Sequence, residues 1–218
     1  FKPQELANTM WAYATLGQAA PELFDAVAKE AHGRLSDFKT QELANLVWAY
    51  ATLEHASPAL LDAVAKEARG RLTDFNPQGL SNTAWAYATL DHASPELFDA
   101  VAKEARGRLR GFAPQGLSNL VWAYAALGHA SPELLDAVAA QATGQLRSFR
   151  RQGLVNLVWA FATLGHASPA LFDAVAEEAL RQVHEFKPQE LANTAWAYST
   201  LGHASPALLD AVATQARG

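Results

Sequence analysis

Histidine recurs at His55, His92, His129, His166 and His203, one every 37 residues. Imidazoles beside carboxylates are the raw material of acid–base catalysis and of metal sites. A metal centre needs several ligands converging on one point. One histidine per repeat, on helices stacked about 8–10 Å apart, does not converge. Each histidine is therefore read as capping the helix before it. The carboxylates also recur at fixed places, which suits helix-start electrostatics better than a single acid–base pair. With no cysteine in the chain, disulfides, thiolate ligands and cysteine nucleophiles are excluded. Glycine-rich phosphate loops, HExxH and serine-centred nucleophile elbows do not occur. A catalytic centre is asymmetric and this chain repeats itself. We expect no enzyme, no cofactor, no metal ligand and no catalytic residue.

The chemistry that repetition does favour belongs to carboxamides. In "LANLVWAYATL" (43–53) an asparagine, Asn45, interrupts an apolar run, and it has a counterpart in every copy: Asn8, Asn45, Asn82, Asn119, Asn156 and Asn193. Four residues ahead of each stands a glutamine: Gln4, Gln41, Gln78, Gln115, Gln152 and Gln189. Two readings stand side by side. The asparagines form a hydrogen-bonded ladder along stacked helices, or they make generic contact with a ligand such as a ribose or a base edge. Residues that are the same in every copy cannot choose between ligands. Choice falls to positions that vary between copies. One set is Glu5, Glu42, Gly79, Gly116, Gly153 and Glu190; the other is Asp37, Asp74, Gly111, Ser148 and Glu185. Variation at Thr9 and its counterparts, or at Phe24 and its counterparts, is read as packing.

The element that positions these residues is a 37-residue unit. Tryptophan at 11, 48, 85, 122, 159 and 196 and phenylalanine at 1, 38, 75, 112, 149 and 186 keep the step without a slip. The units are 1–37, 38–74, 75–111, 112–148, 149–185 and 186–218, the last lacking its final four positions. Each reads as two helices. Leu6, Met10, Tyr13 and Leu16 follow helical spacing in the first, with Pro3 suited to its opening and Gly17 to a left-handed C-terminal cap; Glu54 and Asp91 replace that glycine in the next two copies. The second helix opens at Ser57-Pro58 and its counterparts, the serine placed to cap and the proline to start. Helices this short cannot bury their faces alone. Stacked pairs can, so the fold is read as all-α: a single α-solenoid domain over 1–218, wound as a right-handed superhelix.

By angle, Leu43, Val47, Tyr50 and Leu46 face the partner helix, and Trp48 lies with Ala44 and Ala51 on a second apolar stripe. The tryptophans are read as inter-repeat core, with a base-stacking platform as the alternative. Gln41, Asn45, Thr52 and the position of Glu42 make the polar stripe.

The net charge is −5, yet 14 of the 17 lysines and arginines crowd into the segment joining one unit to the next, where only three of the 22 acids fall. One edge is thus basic and the opposite side acidic. Cations at helix C-termini account for part of this. A basic rim beside a polar stripe is also what tracking a polyanion requires. The rim residues are Arg34, Lys39, Arg71, Arg108, Arg110, Arg147, Arg150, Arg151 and Lys187.

No apolar run approaches the roughly 20 residues of a spanning helix, so membrane insertion is not expected. The chain begins at Phe1 without a methionine and is read as a fragment or a processed piece. Its near-identical copies also fit an engineered or recently duplicated array, and ends without a polar capping helix invite end-to-end self-association.

The stretch "FKPQELANTAWAYSTLGHASPALLDAVA" (186–213) resembles the octotricopeptide and heptatricopeptide repeats of algal and apicomplexan organelle proteins, and the repeats that precede RAP domains. The likeness covers the whole chain and centres on Gln-x-Leu-x-Asn-x-x-Trp-Ala. The unit is one residue shorter than the octotricopeptide name implies, and Ser-Pro-Glu-Leu or Ser-Pro-Ala-Leu opens the second helix. The resemblance implies an α-solenoid that binds single-stranded RNA in a chloroplast or mitochondrion and supports RNA maturation, stability or translation. On a scheme of one base per repeat, about five or six nucleotides would be covered. The rival expectation is a protein-interaction scaffold within a larger assembly.

Overall fold

The computed structural model describes residues 1–217. Among them are twelve α-helices and no strand, paired as the 37-residue unit requires. The first helices are α1 (Pro3–Thr15), α3 (Thr40–Thr52), α5 (Pro77–Thr89), α7 (Pro114–Ala126), α9 (Arg151–Thr163) and α11 (Pro188–Thr200). The second helices are α2 (Pro21–His32), α4 (Pro58–Arg69), α6 (Pro95–Arg106), α8 (Pro132–Thr143), α10 (Pro169–Gln182) and α12 (Pro206–Gln215). A single 3-10 turn carries the chain from each second helix towards the next repeat, as at Leu35–Asp37 and Leu72–Asp74. Its opening leucine and the following phenylalanine, such as Leu72 and Phe75, are both buried and pin the crossing to the core.

The chain divides into two compact units, Phe1–Arg108 and the residues from Leu109 onward. The first holds α1–α6 and the second α7–α12. Within each, hairpins stack in series, first helix against first and second against second, which is the arrangement of an α-solenoid. First helices pack the more closely (α1 on α3, α3 on α5; α7 on α9, α9 on α11). Composition explains this. Ala44, Ala49 and Ala51 are all buried on α3, and such small side chains let helix backbones approach. Leu43, Leu46, Val47 and Tyr50 are buried on α3, and Leu60, Leu61, Val64 and Ala68 on α4; the Tyr50 ring packs against Phe24 of α2, with centroids 4.8 Å apart.

The helix ends follow local rules, with two departures from expectation. The left-handed position after each first helix is occupied as expected by Gly17, Gly128, Gly165 and Gly202, and also by Glu54 (φ 52°) and Asp91 (φ 50°). A side chain there costs roughly 1 kcal/mol or more against glycine. The serines do not cap. Ser57, Ser94, Ser131, Ser168 and Ser205 make no side-chain bond to their helices, and it is the backbone carbonyl that accepts, as from Leu61 N–H to Ser57 at 3.0 Å. The Ser57 backbone stands at φ −134° and ψ 82°, away from the extended conformation in which Asn76 (ψ 163°) caps its helix.

Candidate nucleic-acid interface

Each first helix carries Gln, Asn, Trp and then Thr, Ala or their like at steps of four, three and four, as in Gln41, Asn45, Trp48 and Thr52. At about 100° per residue those steps return to one face, and that face stays open. The glutamines Gln4, Gln41, Gln78, Gln115, Gln152 and Gln189 are exposed; Asn8 is exposed and Asn45, Asn82, Asn119, Asn156 and Asn193 are half-buried. Among the described residues, none of these side-chain amides forms a hydrogen bond within the chain. The expected asparagine ladder is therefore absent.

The tryptophans are covered in the inner repeats more than at the ends of the array, and none is fully buried. Trp48, Trp85, Trp122 and Trp159 are half-buried, while Trp11 is 48% exposed and Trp196 45% exposed. Helical spacing puts each ring on the face of its own Gln and Asn, so its exposed part lies beside the amides. Thr15 and Thr52 complete the stripe, their hydroxyls donating to the Trp11 and Trp48 carbonyls at 2.8 Å each. In each unit, three such stripes of carboxamide and indole lie side by side.

The basic rim divides into two groups. Arg71 donates to the Phe38 carbonyl at 2.8 Å and pairs with Glu67 at 2.9 Å; Arg108 does the same with the Phe75 carbonyl and Glu104. Arg34 bonds the Phe1 carbonyl at 3.4 Å and pairs with Glu30 and Asp37. Arg151 is held by Glu185, through its carbonyl and its carboxylate. These four brace their own repeats, because a five-donor guanidinium half-covered by protein is satisfied there rather than offered outward. Lys39, Arg110, Arg147, Arg150 and Lys187 are exposed and lack a side-chain partner among the described residues.

The variable positions are likewise drawn into local structure. The Glu5, Glu42 and Glu190 carboxylates accept the N–H of Lys2, Lys39 and Lys187 at 2.8, 2.8 and 2.7 Å, fastening helix starts. Where glycine replaces glutamate, packing closes in. Gly79 is buried, a Cβ on it would stand 3.2 Å from the Phe75 ring, and Asn76 takes over the cap at 2.7 Å. A Cβ on Gly153 would meet the Phe149 ring at 3.2 Å; Gly116 is half-buried. Asp37, Asp74, Gly111, Ser148 and Glu185 are exposed in the 3-10 turns, Asp37 facing Arg34 and Glu185 facing Arg151.

Two family models match this array. One, described as "RNA-editing substrate-binding complex 6 protein", matches residues 1–110. The other, described as "FAST kinase-like protein, subdomain 1", matches at residues 80–143, 117–179 and 154–215. Successive starts of those three matches are 37 residues apart, so the model registers on the repeat itself. The chain belongs to this helical-repeat family. No curated protein matches it.

In this chain the repeats are locked by bonds that reading along single helices does not reveal. The buried Tyr50 hydroxyl donates to the Phe24 carbonyl of the preceding repeat at 2.6 Å; Tyr87 reaches Leu61 at 2.6 Å and Tyr198 reaches Phe172 at 2.7 Å. Burial, with nearby Asp25, Asp62 and Asp173 adding to it, pushes these phenols well above their ordinary range. The histidines do close the first helix, but through their backbone: His55 N–H donates to the Tyr50 carbonyl at 2.9 Å. Their rings cross to the repeat before. His55 meets Asp25 at 2.9 Å, His92 Asp62 at 2.8 Å, His166 Asp136 at 2.7 Å and His203 Asp173 at 2.8 Å. One sequence signal does point to the arginine brace. Glu30–Arg34, Glu67–Arg71 and Glu104–Arg108 share a four-residue step, and both partners change together to Gln141 and Gln145 in the fourth repeat.

Proposed function

We propose that this chain binds single-stranded RNA along its first helices, without catalysing a reaction. The observation that carries the reading is the stripe of unengaged carboxamides flanked by half-open indoles. Amides offer both donors and acceptors to base edges and ribose hydroxyls, and an indole face stacks on any base. Supporting it, one matching family is described as belonging to an RNA-editing substrate-binding complex. The Gln and Asn of each repeat make the generic contacts, about one nucleotide per repeat. Lys39, Arg110, Arg147, Arg150 and Lys187 take the phosphates. The exposed turn residues Asp37, Asp74, Gly111, Ser148 and Glu185 are better placed to tune base preference than Glu5, Glu42, Gly79, Gly116, Gly153 and Glu190, which serve helix starts. Following the octotricopeptide and heptatricopeptide resemblance, the work is organelle RNA maturation, stability or translation, in a chloroplast or mitochondrion. The same family description names a complex, which favours protein partners alongside RNA.

The test is a titration with fluorescent single-stranded RNA at two salt concentrations, using wild type and the pair Asn45→Ala with Asn82→Ala. Each lost contact is expected to cost about 1 kcal/mol, or about fivefold in Kd. Absence of wild-type binding, or equal binding by the variant, overturns the reading.

A further inference from the structure

We infer that the RNA backbone is anchored at one place, the starts of α7 and α9, by Arg110, Arg147 and Arg150, instead of being held evenly along a rim. The inference deepens the RNA-binding reading and rests on it.

Of the five free cations, Lys39 and Lys187 stand singly at the starts of α3 and α11, whereas the other three gather around the starts of α7 and α9. Of the rim arginines, those at 34, 71, 108 and 151 are turned inward to their own carbonyls and carboxylates. The remaining three all fall in the second compact unit, Arg110 at the end of the third repeat, Arg147 at the end of the fourth and Arg150 at the start of the fifth. Arg110 lies in the 3-10 turn leading to α7, Arg147 in the turn leading to α9, and Arg150 is the residue that caps α9. The repeat's own register brings these segments together. The start of a first helix touches the turn that leads to the next one, as Thr40 Oγ1 does on the Asp74 carbonyl at 3.1 Å and Arg151 on the Glu185 carbonyl. By the same register the start of α7 adjoins the turn carrying Arg147, and α7 packs directly against α9.

Local acid is sparse there: Glu185 reaches the start of α9, and Arg151 already pairs with it at 3.5 Å. Helices α1, α3 and α11 open with a glutamate in the first turn, whereas α7 and α9 have none and no side-chain cap. Three solvated guanidiniums thus stand beside two helix starts whose N–H groups and dipoles also favour negative charge. Against a chain of net charge −5, this is a confined positive field. A phosphodiester chain fits it because arginine binds phosphate through two parallel N–H groups, and consecutive phosphates can serve consecutive arginines. The flanking Gln115 and Gln152 begin the amide stripes of the same two helices, so backbone and base contacts are continuous.

The experiment measures RNA affinity of the full chain across a salt series for wild type, for Arg110→Ala/Arg147→Ala/Arg150→Ala, and for Arg34→Ala/Arg71→Ala/Arg108→Ala, with a thermal melt of each. Removing the anchor is expected to flatten the slope of log K against log salt by about 2, at about 0.7 per lost phosphate contact, and to weaken low-salt binding at least tenfold, with melting unchanged. The inward triple should melt lower and keep the wild-type slope. If the anchor variant keeps wild-type affinity and slope, the anchor is refuted while RNA binding stands. If wild type binds no RNA, the RNA-binding reading itself is refuted, and the anchor with it.

Discussion

Replacing Tyr87 with phenylalanine removes a single oxygen from one of the most buried places in the chain. The ring is fully enclosed, and its hydroxyl donates to the Leu61 carbonyl at 2.6 Å. That carbonyl lies inside α4, where the helix ladder also uses it, so Tyr87→Phe leaves one lone pair unserved without orphaning the group. Ring packing is kept. The loss is then the net worth of one neutral hydrogen bond, about 0.5–1.5 kcal/mol. For a chain of this length each kcal/mol moves the midpoint by about 2–4 °C. Circular dichroism melts, with amide exchange read on α4 and α5, measure both the size and the place of the effect, since an array loses stability locally. The fifth repeat supplies the reverse experiment. Phe161 occupies the same position with no hydroxyl, and Phe161→Tyr should regain a comparable amount against the Leu135 carbonyl. If Tyr87→Phe melts together with wild type and exchange in α4 is unchanged, the view of this bond as a lock between repeats is wrong.

Two further outcomes follow from the same geometry. The phenols of Tyr50, Tyr87 and Tyr198 are held protonated by burial, so the folded state keeps protons that the unfolded state releases above about pH 10. Their contribution is constant below that pH and is lost as pH rises beyond it; the phenolate absorbance of these three should therefore appear together with unfolding in an alkaline titration, and the triple phenylalanine variant should lose that part of the signal. At Glu54, with φ 52°, substitution Glu54→Gly should stabilise by about 1 kcal/mol in a urea melt, while the same change at an exposed position within a helix such as Glu177 should destabilise.

The fold was legible because the period is strict and each helix announces its own start. Pro58 and its counterparts open the second helices, Gly17 and its counterparts close the first, and the apolar face of Leu43, Val47 and Tyr50 points inward as its spacing requires. What angle alone does not supply is the partner. It puts Trp48 next to an apolar stripe, but does not say how much of the indole is covered. It puts Arg71 on a basic edge without saying that the Phe38 carbonyl is within its reach. The site was legible to the same degree: the Gln and Asn stripe stands where the sequence places it, whereas the division of the rim into braces and free cations is a tertiary fact.

The cross-repeat bonds have a consequence for how such a gene can change. Tyrosine and carbonyl are 26 residues apart and histidine and aspartate 30, both shorter than one period. Excision of residues 38–74 would bring Tyr87 to the Phe24 carbonyl and His92 to Asp25, recreating the contacts that Tyr50 and His55 make now. Unequal recombination between copies therefore yields a shorter or longer array with every junction already made, and the number of carboxamide stripes can drift by whole repeats without a single new interface having to be invented.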